Sequence, residues 1–306
     1  MRVLVALVLV YAAVEGLHMS PSFDLGLGET AVDFSRAAYC SADSLKKWDC
    51  EACSGRAAGV EVEAVAYENP GQVQGFVGYQ KENKRIVVSF RGSSNIPNWI
   101  LDLYFFHMDS NFTEAGCDDC RIHRGFYKAY EHVHDEIVPA VNKLNERYPG
   151  SEILVTGHSL GAAIAQHCAL DLVENHKLAN VKAYTLGEPR TGNAAFAKFV
   201  DLKIPGYTRI VHRNDVVPHL PLRAMGFTHE ALEVWNTDES TAVTVCDGTG
   251  EDPNCSDSVP TLKMSANDHS LYLGTMVTCE NQPSYAWPEG VIPPWLEEAD
   301  AKPFVA

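Results

Sequence analysis

One segment constrains this chain more than any other: Ile153-Leu154-Val155-Thr156-Gly157-His158-Ser159-Leu160-Gly161-Ala162-Ala163-Ile164-Ala165. A short apolar, β-branched run reads as a buried strand, and the small-residue run after it reads as the start of a helix. Between them lies G-x-S-x-G, the pattern of a nucleophile elbow. Glycines at both ends tolerate the cramped strand-to-helix turn and let the helix pack close to the sheet. The turn lifts the Ser159 hydroxyl out of the strand. The helix N-terminus adds positive potential where an oxyanion would form, with the Leu160 N–H as the nearest donor.

The rest of the chain repeats the alternation. Ile86–Phe90, Ile153–Thr156, Val181–Leu186 and Tyr207–Val211 read as strands, with helical patterns at Phe126–Tyr148, Gly161–Asn175 and Ala194–Leu202. Near-continuous apolar strands suit a sheet buried on both faces. Strands alternating with helices imply an α/β fold with a mostly parallel, helix-covered sheet in one domain. Thr237–Ser265 is polar and rich in turn residues, and reads as an excursion held by Cys246 and Cys255.

A serine hydroxyl is a weak nucleophile and needs a base oriented by a third group. In this kind of fold the chain order is serine, acid, histidine. Asp215 lies four residues beyond the strand ending at Val211, and His269 is the last of twelve histidines. Ser159, Asp215 and His269 therefore form the expected triad, with Asp201 as the alternative acid and His229 as the alternative base. A second oxyanion donor should follow an early strand, and Ser93 in Phe90-Arg91-Gly92-Ser93-Ser94 has that place. Just beyond, Ile96, Trp99, Ile100 and Leu103 share one helical face after Pro97, a residue suited to the first helical position. Beside an oxyanion donor, such a stripe reads as a short apolar lid over about residues 95–103.

Composition and charge narrow the partners. The net charge is −16, and no basic run supplies the face that nucleic acid requires. Met1-Arg2, an apolar run to Val14 and small residues to Gly16 read as a signal peptide over residues 1–16. The run is too short to span a bilayer, which takes about 20 helical residues. The mature domain is then 17–306, and the protein is expected to be secreted. Nine cysteines fit an oxidising compartment. The two C-x-x-C pairs, Cys50/Cys53 and Cys117/Cys120, lie too far apart for a zinc ribbon, and each more simply closes on itself. Cys168 shares a helical stripe with Ala165, Ala169 and Leu172 and reads as a buried, unpaired thiol.

The chain resembles the fungal class 3 triacylglycerol lipases, the Rhizomucor-type group that also contains feruloyl esterases. The matches run in order through Ala37-Ala38-Tyr39-Cys40, Phe90–Ser94, Asn98-Trp99, His123-Arg124-Gly125-Phe126, the elbow, Gly187–Asn193, Asn214–Pro218 and Asp268-His269. The resemblance implies an α/β-hydrolase fold and ester hydrolysis with no metal or organic cofactor. It implies Ser159, Asp215 and His269 as triad, Ser93 and Leu160 as oxyanion donors, the apolar segment as a mobile lid, and Val217 and Leu220 lining the acyl groove. It pairs Cys40 with Cys279, Cys50 with Cys53 and Cys246 with Cys255, and Cys117–Cys120 matches an extra bridge of some members. The implied partner is a lipid substrate at an oil–water or membrane surface, acted on by a monomer without a protein partner. Feruloyl esterase and phospholipase A1 are the alternatives on the same fold, and a non-catalytic lipid-binding relative is the alternative from another class. The apolar lid favours triacylglycerol. Ser270, polar where a lipase often has an apolar residue, departs from the pattern.

Overall fold

The computed structural model describes residues 23–68, 73–93, 108–109 and 117–279. The expected signal peptide (1–16), the lid residues Ile96, Trp99, Ile100 and Leu103, and both ends of the expected domain 17–306 lie outside the described residues. Eight strands form the central sheet: β1 (Val60–Glu68), β2 (Val73–Gln80), β3 (Arg85–Phe90), β4 (Glu152–His158), β5 (Val181–Leu186), β6 (Thr208–His212), β7 (Glu233–Asn236) and β8 (Val243–Val245). They lie side by side in chain order. β3 to β7 pair in parallel, while β1, β2 and β8 are antiparallel.

Among the described residues, five α-helices flank the sheet: α1 (Leu25–Ala37), α2 (Ala42–Lys47), α3 (Arg124–Arg147), α4 (Leu160–Glu174) and α5 (Ala194–Lys203). The last three connect successive parallel strands. Right-handed crossovers along a sheet that grows in one direction put these helices on one face. Side-chain alternation records that split. Ile86, Val88, Phe90, Ile153, Val155 and Ala183 pack with the cluster holding Ile137, Val141, Ala169 and Phe199. Val87, Leu154, Tyr184 and Ile210 pack on the other face with Leu27, Ala31 and Phe34 of α1. Each large apolar side chain so buried contributes about 1.5–3 kcal/mol.

The polar excursion after Thr237 is less of a detour than its composition implies, because Val243–Val245 pairs with β7 and extends the sheet. Disulfides link Cys40 to Cys279, Cys50 to Cys53, Cys117 to Cys120 and Cys246 to Cys255. Cys168 is free and buried on α4, and burial pushes its thiol well above the ordinary range.

A second polar assembly lies inside the fold. Arg209 on β6 is wholly buried. Its guanidinium donates to the carbonyls of Glu230 and Gly250 at 3.0–3.2 Å and faces the carboxyl of Glu233 at 3.5 Å and that of Glu230 at 3.9 Å. Glu188, just after β5, accepts from Thr185 and from Tyr207 Oη at 2.8 Å. Arg209 Nη1, both Glu230 carboxyl oxygens and Glu188 Oε1 have no hydrogen-bond partner among the described residues. Burial, with Glu230 nearby, holds the Glu188 carboxyl well above the usual range. Burial likewise pushes Glu230 up to about 7, against the pull of Arg209.

Candidate active site

β4 ends at His158 and α4 begins at Leu160, which leaves a single residue for the reversal of the chain. Ser159 makes it with φ 61° and ψ −129°, a region that a non-glycine residue occupies only when its surroundings force it. The flanking glycines make that possible. A Cβ on Gly157 would fall on the Gly161 carbonyl, and one on Gly161 would fall on the Phe90 carbonyl. Ser159 is fully buried, and its Oγ has no hydrogen-bond partner among the described residues. Gly92 abuts the Ser159 Cβ and the His158 carbonyl, so the loop after β3 brings half-buried Ser93 to the elbow. Leu160 opens α4, where unsatisfied N–H groups and the helix dipole meet.

Asp215 sits in the turn after β6. A single bridge with Ser265, through Val216 N to Ser265 O at 3.3 Å and Ser265 N to Asn214 O at 2.7 Å, ties that turn to the segment carrying His269. Both side chains are completely buried, with His269 Nδ1 2.8 Å from Asp215 Oδ2. A carboxylate accepts, so Nδ1 carries the proton and the lone pair lies on Nε2. Nε2, like Ser159 Oγ, is buried without a partner among the described residues. Asp215 also accepts from the Tyr272 hydroxyl and, at 2.9 Å, from Val217 N. Burial alone would raise its carboxyl; the opposing histidine and these donors outweigh it and hold the group below the usual carboxylate range.

The residue beside the serine joins the two halves of the site. His158 Nε2 lies 2.7 Å from the His269 carbonyl, which only accepts, so Nε2 donates and Nδ1 receives the Tyr39 hydroxyl at 2.7 Å. The His158 and His269 rings lie 4.4 Å apart by centroid. Burial, then proximity to His269, drives the His158 pKa well down, consistent with that neutral tautomer. His158, Tyr39 and Tyr272 were not singled out from sequence as site residues. The signal available was thin: a tyrosine three places after His269, and a histidine inside the elbow.

The alternative acid and base are engaged elsewhere. Asp201 lies on α5 and accepts Ala231 N at 3.1 Å through both oxygens. His229 Nε2 donates to the Pro218 carbonyl at 2.7 Å. Neither is hydrogen-bonded to Asp215 or His269. Val217 and Leu220 are buried and pack with Phe126, Ala163 and Val216, with Leu160 partly buried against them, so an apolar cluster begins at the residue after the serine. Three groups of His, Cys and acidic side chains among the described residues come close enough to hold an ion, and none includes Ser159, Asp215 or His269.

The family model for class 3 lipase matches residues 87–225. A lipase of Rhizomucor miehei is 40% identical over 195 residues, 62% of this chain and 52% of that sequence, so the chain spans about half the length of that relative. The secreted mono- and diacylglycerol lipase A of Penicillium cyclopium is 34% identical over 220 residues, covering 69% of this chain and 70% of its own length. The structure of Rhizomucor miehei triacylglyceride lipase superposes with a TM-score of 0.74 at 35% identity, covering 83% of this chain and 95% of that one. The mainly parallel sheet, its flanking helices and the strand–turn–helix at Ser159 are accordingly those of the α/β-hydrolase fold. With one architecture in common and a third of the residues identical over most of both chains, this chain belongs to the class 3 lipase family.

Proposed function

We propose that the protein is a secreted serine esterase that hydrolyses triacylglycerol ester bonds at a lipid–water interface. The observation that carries this is the fully buried Asp215–His269 pair beside the elbow: its unprotonated Nε2 and the Ser159 hydroxyl are both left without a hydrogen-bond partner among the described residues. In this reading His269 takes the proton from Ser159 as Oγ attacks the ester carbonyl. Asp215 holds the imidazole in the required tautomer and stabilises the imidazolium that forms. The Leu160 N–H and Ser93 hold the oxyanion, the glycerol oxygen leaves with the proton from His269, and water then releases the acyl group from the serine. Val217 and Leu220 begin the acyl groove. Residues 95–103 form the apolar lid and residues 1–16 the export signal. The name of the Penicillium relative supports a second reading, hydrolysis of mono- and diacylglycerols.

The test is the initial rate against tributyrin concentration across its solubility limit, with Ser159→Ala as the blank. A rate that jumps once droplets form is the expected result. Smooth saturation below the limit would replace the lipase assignment with a soluble-ester one. Ser159→Ala should lose about 10⁴-fold or more, and substantial residual turnover would remove Ser159 from its role. Comparing triolein with diolein and monoolein separates the two lipase readings.

A further inference from the structure

The far end of α4 carries a cluster that the esterase chemistry does not use. His134 from α3, Asp171 from the last turn of α4 and His176 just past its end converge there. One ligand atom from each lies within 4.8 Å of those of the other two. Asp171 Oδ2 stands 3.4 Å from His134 Nε2 and 3.9 Å from His176 Nε2. His134 and Asp171 border an open cleft of about 390 Å³ that Tyr127, Tyr130 and Glu131 also line. The side chains are 38%, 14% and 30% exposed, so a hydrated ion can reach them.

We infer that His134, Asp171 and His176 form a zinc-binding site that clips α3 to the end of α4. Two imidazoles and one carboxylate are a donor set suited to this borderline ion. Ligand bonds of about 2.0–2.1 Å at tetrahedral angles put ligand atoms roughly 3.3 Å apart, a separation His134 and Asp171 already have. His176 Nε2, 3.9 Å from the carboxylate, closes the set by moving its ring toward the ion. Three protein ligands leave a fourth position for water.

The surroundings aim the ligand atoms. His134 Nδ1 lies 2.8 Å from Asp135 Oδ1, so Nδ1 donates and the Nε2 lone pair faces the carboxylate. His176 Nδ1 lies 3.0 Å from the Asn142 side-chain amide. The two ends of that amide are interchangeable in shape, and with its oxygen toward the ring it accepts Nδ1–H and frees Nε2. Tyr130 Oη and Asn175 Nδ2 each donate to Asp171 at 2.6 Å, fixing the carboxylate while leaving lone pairs to spare. The other two candidate groups rest on cysteines already in disulfides, Cys40, Cys50 and Cys279 in one and Cys246 and Cys255 in the other. Twelve residues of helix separate Asp171 from Ser159, about 18 Å at 1.5 Å per residue, so the ion would brace the fold and not enter the chemistry.

The experiment is zinc titration of the full, chelator-stripped protein at about pH 8, where ligand protonation competes little, followed by calorimetry and by thermal unfolding. The expected result is one tightly bound equivalent and a higher Tm, with magnesium at equal concentration doing neither. His134→Asn and His176→Asn, each checked for an unchanged Tm without metal, should each weaken binding at least about tenfold and abolish the Tm rise. Both should leave tributyrin turnover intact. Absence of a bound equivalent, or equal affinity in either variant, would overturn the assignment.

Discussion

Two of the buried polar assemblies among the described residues, those around Asp215 and Arg209, are satisfied to very different degrees. Around Asp215 every donor has a counterpart: His269, Tyr272 and Val217 N serve the carboxylate, while His158 spans the Tyr39 hydroxyl and the His269 carbonyl. The two atoms left over, Ser159 Oγ and His269 Nε2, are those the proposed reaction uses. Around Arg209 one guanidinium faces several carboxyls, and Glu188, Glu230 and the guanidinium itself keep unpaired atoms. A buried polar network that is complete holds a geometry, whereas an incomplete one costs stability and responds to protons. The first assembly spends its hydrogen bonds on position, and the second stores charge that the fold must neutralise.

The contrast can be broken from either side. Asp215→Asn keeps the shape of the first assembly but offers His269 the wrong partner, and turnover should fall about 10⁴-fold while Tm changes little. A fall in Tm that accounts for the lost activity would mean the assembly serves stability instead. Arg209→Met removes the guanidinium that faces the Glu230 and Glu233 carboxyls. It should cost about 3–5 kcal/mol in denaturant unfolding, the usual penalty for stranding one side of a buried pair. A near-neutral result would show that the Glu230 carboxyl is already uncharged in the wild-type protein.

The gentlest change sharpens the comparison. Glu188→Gln is close to isosteric and keeps an oxygen for Thr185 and Tyr207. The wild-type carboxyl is raised in the folded state, so the fold favours its protonated form. That preference is fully retained below the ordinary value of 4.5 and is lost as pH rises through the raised folded value. The variant should therefore match the wild type near pH 4 and be the more stable at about pH 8, with a higher Tm and an unfolding free energy larger by about 1–3 kcal/mol, the cost of an uncompensated buried polar group. Equal Tm values across that range would show that Glu188 ionises without penalty.

The part of the fold that was legible from sequence is the part built on local pattern. The continuous apolar runs of β3 and β4 and the small residues of α4 announce themselves, and so does the elbow. β2 does not, because Gln74 and Gln80 interrupt it. Both are buried only because their amides donate to the carbonyls of Ala38, Cys40, Arg56 and Ala58, two short segments near the start of the chain. The site divides the same way. Asp215 and His269 follow from order along the chain, whereas His158 acts through partners 119 and 111 positions away. No local pattern encodes such a tie. The clip at His134 and His176 was hidden for the same reason, since it depends on two helices meeting.

The agreement between strand order and chain order has a temporal consequence. Each new strand can add to the edge of the one made before it, so the parallel sheet can grow from its N-terminal side while the chain is still being synthesised. Ser159 is then in place on its turn long before Asp215, His269 and Cys279 exist. Under the proposed chemistry, a chain stopped anywhere short of residue 269 would carry a shaped nucleophile with no base, and hydrolytic competence would arrive as one of the last events of synthesis.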